Sequence, residues 1–359
     1  VGVAFIVSFI LTSFLYPFLL RYEFLRKTNL ISLISVVFGS IVPSSVILLF
    51  YWNKFDFVSD ISSWTFLAPL IGLAVVFATC FVDRVHAVTI GVFLATIIGV
   101  FGGGLFVDVI PDYPIYVNKI CSVLMWFLFS IGIRSAARIY PVLQIQSITI
   151  SAGFVLLFIF GASPFMVAVV AATLLASSSV AYLNCANQYF GTNVSPVIGY
   201  IIGWFGLISY NEMLMPCFVI LVMFCLIEIG ISLARRLTFL QKYKNFEENS
   251  FIVQICKSEL DPKIILKSLW MLSAIVLVFC VFQANGVNSY SIPAFVGIIT
   301  IWYIYKMINW KEEKSWKEIN REAVNEIKET ITTVVKEIKK NKKVKNNSVS
   351  KPKKAPKTK

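Results

Sequence analysis

Charge is scarce in this chain. Only 14% of its 359 residues are Asp, Glu, Lys or Arg, against about a quarter in an ordinary soluble domain. With 58% apolar residues and a mean hydropathy of +0.79, that shortage excludes both a soluble globular domain and a disordered chain. Histidine is almost missing: the one residue, His86, excludes a multi-histidine metal site. The seven cysteines form no Cys-x-x-Cys pair. Six of them, Cys80, Cys121, Cys185, Cys217, Cys225 and Cys280, lie in or beside apolar stretches, where a thiol reads as a small buried hydrophobe. What the chain has in abundance is long apolar runs, and these point to a polytopic membrane protein.

The net charge of +13 is unevenly placed. Residues 1–305 carry only +3, whereas 306–359 carry +10. Within that tail, 306–337 is balanced and 338–359 holds ten Lys and no acid. The basic character therefore belongs to a short appendage and not to the apolar body.

A helix needs about 20 apolar residues to cross the hydrocarbon core. Eleven stretches are predicted to do so: 1–20, 29–51, 65–82, 87–107, 115–133, 141–161, 163–183, 194–210, 213–233, 265–284 and 290–308. Residue 1 opens directly into the first of them, which reads as a membrane helix and not as a cleaved signal. The loops alternate in charge. One set holds 13 Lys and Arg, from Arg21 to Lys267; the other holds only Lys54 and Lys119, beside Asp56, Asp60, Asp108, Asp112 and Glu212. The basic set is assigned to the cytoplasm, which places the N-terminus outside and the C-terminus inside. The expected organisation is an all-α, eleven-span body over 1–310, a cytoplasmic amphipathic helix over 311–340 and a disordered Lys-rich tail over 341–359. Trp316, Ile319, Ala323, Ile327, Ile331, Val334 and Ile338 recur at steps of three and four and form the apolar face of that helix.

Several cytoplasmic segments carry a resemblance. The stretches FVDRVHAVTIGVFLATIIGVFGGG, WFLFSIGIRSAARIYPVLQIQ, VAYLNCANQYFGTNVSPVIGYIIGWFGL and IEIGISLARR occur in that order. Over about residues 1–308 the set resembles the polyprenyl-phosphate sugar-1-phosphate transferases, the bacterial enzymes that load phospho-MurNAc-pentapeptide or phospho-GlcNAc onto undecaprenyl phosphate (glycosyltransferase family 4). The resemblance implies a multi-pass protein of the bacterial cell (inner) membrane acting in peptidoglycan or polysaccharide synthesis. It also implies cytoplasmic aspartates that hold Mg²⁺ between two anionic phosphates, work that needs a hard cation and oxygen ligands.

The motif positions depart from that pattern. The first acidic pair reads Val82–Asp83. The Asn/Asp positions of the second segment read Ser135, Arg138, Pro141 and Gln144. The Gly-Asp-x-Gly-Ser segment has Thr192 at its aspartate, and the last aspartate reads Glu228. Of the motif aspartates in the first three segments only Asp83 remains, and the family's cytoplasmic histidines have no counterpart in 246–256. Thr, Gln and Pro do not replace a carboxylate at a Mg²⁺ site. The expectation is a degenerate, non-catalytic homologue with no cofactor, Mg²⁺ being required only if the site is active. Asp83 and Glu228 are the candidate catalytic carboxylates. Asp83 is either a residual ligand or the partner of an arginine; Glu228 is either functional or paired, for example with Arg138.

Arg134 and Arg138 stand at i,i+4 where the family is polar or acidic. They either grip a lipid phosphate through their planar forks or anchor the helix end at the headgroups. Arg84, Asn184, Arg235 and Arg236 complete the candidate lipid-phosphate or nucleotide-binding set, with the same alternative for the terminal arginine pair. His86 reads as interfacial. The expected partners are a polyprenyl-phosphate or anionic lipid, and a membrane protein or second copy engaged through 312–340. No aromatic residue interleaves with the terminal lysines, which argues against nucleic acid. Two other functions stay open: an active transferase with a rebuilt site, and a lipid transporter or flippase. No inverted repeat is visible for the latter.

Overall fold

A computed structural model describes residues 1–21, 30–51, 63–82, 85–108, 113–133, 142–184, 194–238, 262–285 and 290–308. Among them run eleven α-helices. They are α1 (Gly2–Leu19), α2 (Leu30–Tyr51), α3 (Ser63–Cys80), α4 (Val85–Ile97), α5 (Ile115–Gly132), α6 (Val142–Ile159), α7 (Phe165–Asn184), α8 (Ser195–Asn211), α9 (Met215–Thr238), α10 (Pro262–Ala284) and α11 (Ser291–Ile308). Within the runs 141–161 and 194–210, which are interrupted by Pro or Gly, residues 142–159 and 195–210 are helical. The candidate helix over 311–340 and the tail lie outside the described residues.

Seven helices are long and apolar enough to cross a membrane, and Trp64–Cys80, His86–Gly102 and Ser291–Met307 are shorter apolar helices. The outer surface fits that reading: Phe14, Leu128, Met271, Phe282 and Ile298 are all well exposed. Such a surface would drive aggregation in water and is at home against lipid tails. The protein is a polytopic membrane protein built wholly of helices over its described residues.

Lipid is as apolar as leucine, so hydrophobicity alone does not tell these helices which face to bury. Small and hydroxyl residues do. In α1 the buried residues Ala4, Ser8, Thr12 and Tyr16 recur at every fourth position. Ser8 Oγ lies within hydrogen-bond reach of the Gly39 carbonyl of α2 and, at 2.9 Å, of the Thr173 carbonyl of α7. A Cβ on Gly39 would collide with Thr12 Oγ1 and would reach 3.4 Å from Ser177 Cβ. Three backbones therefore approach closely along one seam, and α7 is central because α1, α2 and α6 all pack on it.

The second central element is α8. It has only seventeen residues and is buried from Ser195 through Ser209, wrapped by α3, α5 and α9. Its Tyr200 ring stacks on Trp126 of α5 at 4.5 Å, and Trp126 Nε1 donates to the Tyr200 carbonyl at 2.8 Å. Gly99 and Gly203 make the space: a Cβ on either would come within 2.5 Å of the Trp126 indole.

The span predicted over 87–107 is interrupted. After Ile97 the chain makes one π-turn, Ile98–Gly102, and leaves the helix at Gly103 and Gly104, the latter with φ +69°. The wider turn loosens the i→i+4 ladder, and the Tyr200 hydroxyl donates to the Ala95 carbonyl at 3.1 Å. Residues 104–108 then run beside α5 without helical structure. Val107 N donates to Ser122 Oγ at 2.8 Å, and Asn118 Nδ2 to Asp108 Oδ1 at 3.1 Å. Lys119 lies over the rings of Phe101 and Phe106, at 5.5 and 5.8 Å.

Candidate functional site

Antiparallel packing gathers one set of helix ends. Gly199, early in α8, packs on Ser130 near the end of α5, where a Cβ would sit 2.8 Å from Ser130 Cα. Gly132, the last residue of α5, receives the Ile229 side chain of α9; a Cβ there would lie 2.6 Å from Ile229 Cδ1. Ser147 of α6 and Ser178 of α7 are hydrogen-bonded at 2.8 Å. Trp270 Nε1 of α10 donates to Tyr182 Oη of α7 at 3.2 Å. The ends of α5, α7 and α9 thus meet the starts of α6, α8 and α10.

Two of the motif positions lie inside this end. Gln144 is the third residue of α6 and is fully buried. Among the described residues, neither its Oε1 nor its Nε2 has a hydrogen-bond partner. Glu228 of α9 is also fully buried. The same face of α9 continues by steps of three and four from Cys225 through Glu228 to Ser232, both flanking residues being buried as well. Among the described residues, Ser232 Oγ has no hydrogen-bond partner. Arg235 and Arg236 follow in the last turns of the helix, and their side chains lie outside the described residues.

The other candidates divide by environment. Val82 and His86 are exposed, at the end of α3 and the start of α4. Asn184 is exposed at the end of α7, and its amide donates to the Val180 carbonyl of its own helix at 2.8 Å. That bond satisfies one of the last helical carbonyls, so the side chain serves the helix end and does not reach into the bundle. Asp83, Arg84, Arg134, Ser135, Arg138, Pro141 and Thr192 lie outside the described residues, as does Cys185. Of the cysteines among the described residues, Cys80, Cys217, Cys225 and Cys280 are buried and Cys121 is half-buried, and none of these five is in a disulfide; Cys256 also lies outside the described residues.

Reading the chain residue by residue passed over Ser232 and the Ser147–Ser178 pair. The signal for Ser232 was present, since 225, 228 and 232 share a helical face; serine in an apolar run reads as packing until its burial is known.

Mg²⁺ requires several hard oxygen ligands. Gln144 offers a neutral carbonyl and Glu228 one carboxylate, both enclosed, and among the described residues no three or more metal-binding side chains converge. These two positions do not make the donor set that the family chemistry requires. What they provide is a buried carboxylate and the two polar atoms of a buried amide in an apolar interior, groups able to hydrogen-bond a hydroxyl or an amide.

No protein-family profile matches the chain, and a search of curated proteins finds no match.

Proposed function

We propose that this protein is a divergent, non-catalytic relative of the polyprenyl-phosphate sugar-1-phosphate transferases that binds a polyprenyl-phosphate lipid, or a partner handling one, in a bacterial cell membrane. The proposed topology has eleven spans, with the N-terminus outside and the basic tail inside. The observation that carries this reading is the state of Gln144. At a position where the resemblance calls for a metal-binding aspartate, the chain places a neutral amide, buries it completely and leaves both of its polar atoms without a partner. Glu228 supports it, since its carboxylate stands inside the bundle at the same end.

The test is catalytic. Purified protein is incubated with undecaprenyl phosphate, Mg²⁺ and either UDP-GlcNAc or UDP-MurNAc-pentapeptide, and UMP release is measured. The expected result is release no faster than without protein. Turnover above that background, abolished by Asp83→Asn, overturns the proposal in favour of a rebuilt active site. The binding half is read by mass spectrometry of lipids that co-purify: polyprenyl phosphate is retained by the native chain and depleted in the Arg134→Ala/Arg138→Ala double variant.

A further inference from the structure

We propose that Cys217 and Cys280 form a disulfide that staples α9 to α10. Cys217 is the third residue of α9 and Cys280 stands four residues before the end of α10. At 1.5 Å of rise per residue, both lie within about 6 Å of their helix termini, at the end of the bundle away from Glu228. The two helices pack directly on each other. Cys217 Sγ lies 3.9 Å from the backbone carbonyl of Cys280, across the seam between the two helices. Both are free and almost completely buried. A disulfide needs sulfurs about 2.0 Å apart on neighbouring backbones, and the Cys217 thiol already reaches the Cys280 backbone. Burial alone would favour any small apolar residue at these positions. Two cysteines facing one interhelical seam at the same end of the bundle have a further chemistry.

The alternation of loop charge assigns this end, with Asp108 and Glu212, to the outside of the membrane. The inference rests on that orientation. An outer compartment is where protein disulfides form and persist. The oxidant is another disulfide of that compartment, small-molecule or protein. One cysteine thiolate attacks it and expels a first thiolate, leaving a mixed disulfide. The second cysteine thiolate attacks the mixed disulfide, the Cys217–Cys280 bond forms and a second thiolate departs. The oxidant gains two electrons, and the two protons lost by the cysteines end on the two released thiols. Exchange takes place while the hairpin of α9 and α10 is being assembled, before packing closes over the sulfurs. Burial then shields the bond from reductants.

The experiment uses the full chain in a bacterial inner membrane facing an oxidising periplasm. Free thiols are blocked with N-ethylmaleimide before extraction. The protein is cut at a protease site introduced within 239–261, between the two cysteines, and run in denaturing gels with and without reductant. The expected result is that most of the wild-type fragments stay joined without reductant and separate with it. A linked peptide containing both residues is identified by mass, and two fewer maleimide groups are taken up than after reduction. Cys280→Ser separates under both conditions, and Cys225→Ser stays joined. Wild-type fragments that separate without reductant overturn the proposal, whatever the folding of the variants. Labelling Glu212→Cys with an impermeant reagent from outside then tells which premise failed: labelled, the pair; unlabelled, the orientation.

Discussion

Gln144→Met isolates the cost of an unpartnered amide. The native side chain is fully buried, and both Oε1 and Nε2 lack hydrogen bonds. Burying such a group without compensation costs about 1–3 kcal/mol on the scale of protein mutational data. Methionine matches glutamine in length and in helix propensity, and volume-conserving exchange keeps the packing. The variant is therefore expected to be more stable by about 1–3 kcal/mol. At roughly 2–4 °C per kcal/mol for domains of 150–250 residues, the unfolding midpoint should rise by roughly 2–12 °C. The assay is thermal unfolding of delipidated protein in detergent, followed by tryptophan fluorescence. The second arm is the amount of polyprenyl phosphate retained at purification, which should fall, because the groups that meet the ligand are gone. A midpoint that drops as far as in Gln144→Ala refutes the reasoning, since the amide would then be satisfied in the native protein and its role would be packing.

Three further outcomes follow from other parts of the bundle. Gly203→Ala forces a methyl within 2.5 Å of Trp126 Nε1 and should cost about 1–3 kcal/mol through overpacking; a thermal-unfolding double-mutant cycle with Trp126→Phe should recover part of the loss. Ser8→Ala removes the hydroxyl that joins α1 to the Gly39 and Thr173 carbonyls and should cost about 0.6–2 kcal/mol, the range of interhelical hydrogen bonds in membranes; no change in unfolding midpoint would count against the seam. Glu212→Cys should react with an impermeant thiol reagent added outside intact cells, and Asn184→Cys only after permeabilisation, so the reverse pattern would invert the proposed topology.

The helices were largely legible because each apolar run is bounded by charge or by turn residues. Even 141–161 and 194–210, the least regular runs, form helices over Val142–Ile159 and Ser195–Asn211. The break after Gly102 was not legible to hydropathy. Leu105, Phe106 and Val107 continue the apolar run, yet the chain leaves the helix because Gly104 adopts a left-handed φ and Ser122 supplies the acceptor that Val107 N needs. Three consecutive glycines were the visible sign. The resemblance singled out Gln144 and Glu228, but their burial was not legible, because which side of a helix is interior depends on neighbours far along the chain. In α6, residues 142–147 are buried on every side, and no period in the sequence separates Gln144 from a lipid-facing residue.

Burial also bears on what the proposed kinship would mean at Gln144 and Glu228. A phosphotransfer site works at a water-facing end, where a nucleotide diphosphate enters with its metal and where aspartates remain ionised at little cost. Moving such a residue into an apolar interior penalises its charge heavily, and the neutral amide at Gln144 avoids most of that penalty. Glu228, equally enclosed, carries a carboxylate, so the two positions differ in kind. Relative to the aspartates that the resemblance implies, Gln144 has no charge, whereas Glu228 is longer by one methylene and remains an acid, on the face of α9 that Ser232 continues. A bundle that had merely ceased to use this end would be stabilised by apolar residues at 144 and 232, where amide and hydroxyl stand without partners. Their presence is easier to reconcile with a ligand or water that hydrogen-bonds there than with packing alone, and for that reason the stability and lipid-retention arms of Gln144→Met must be measured on the same preparation.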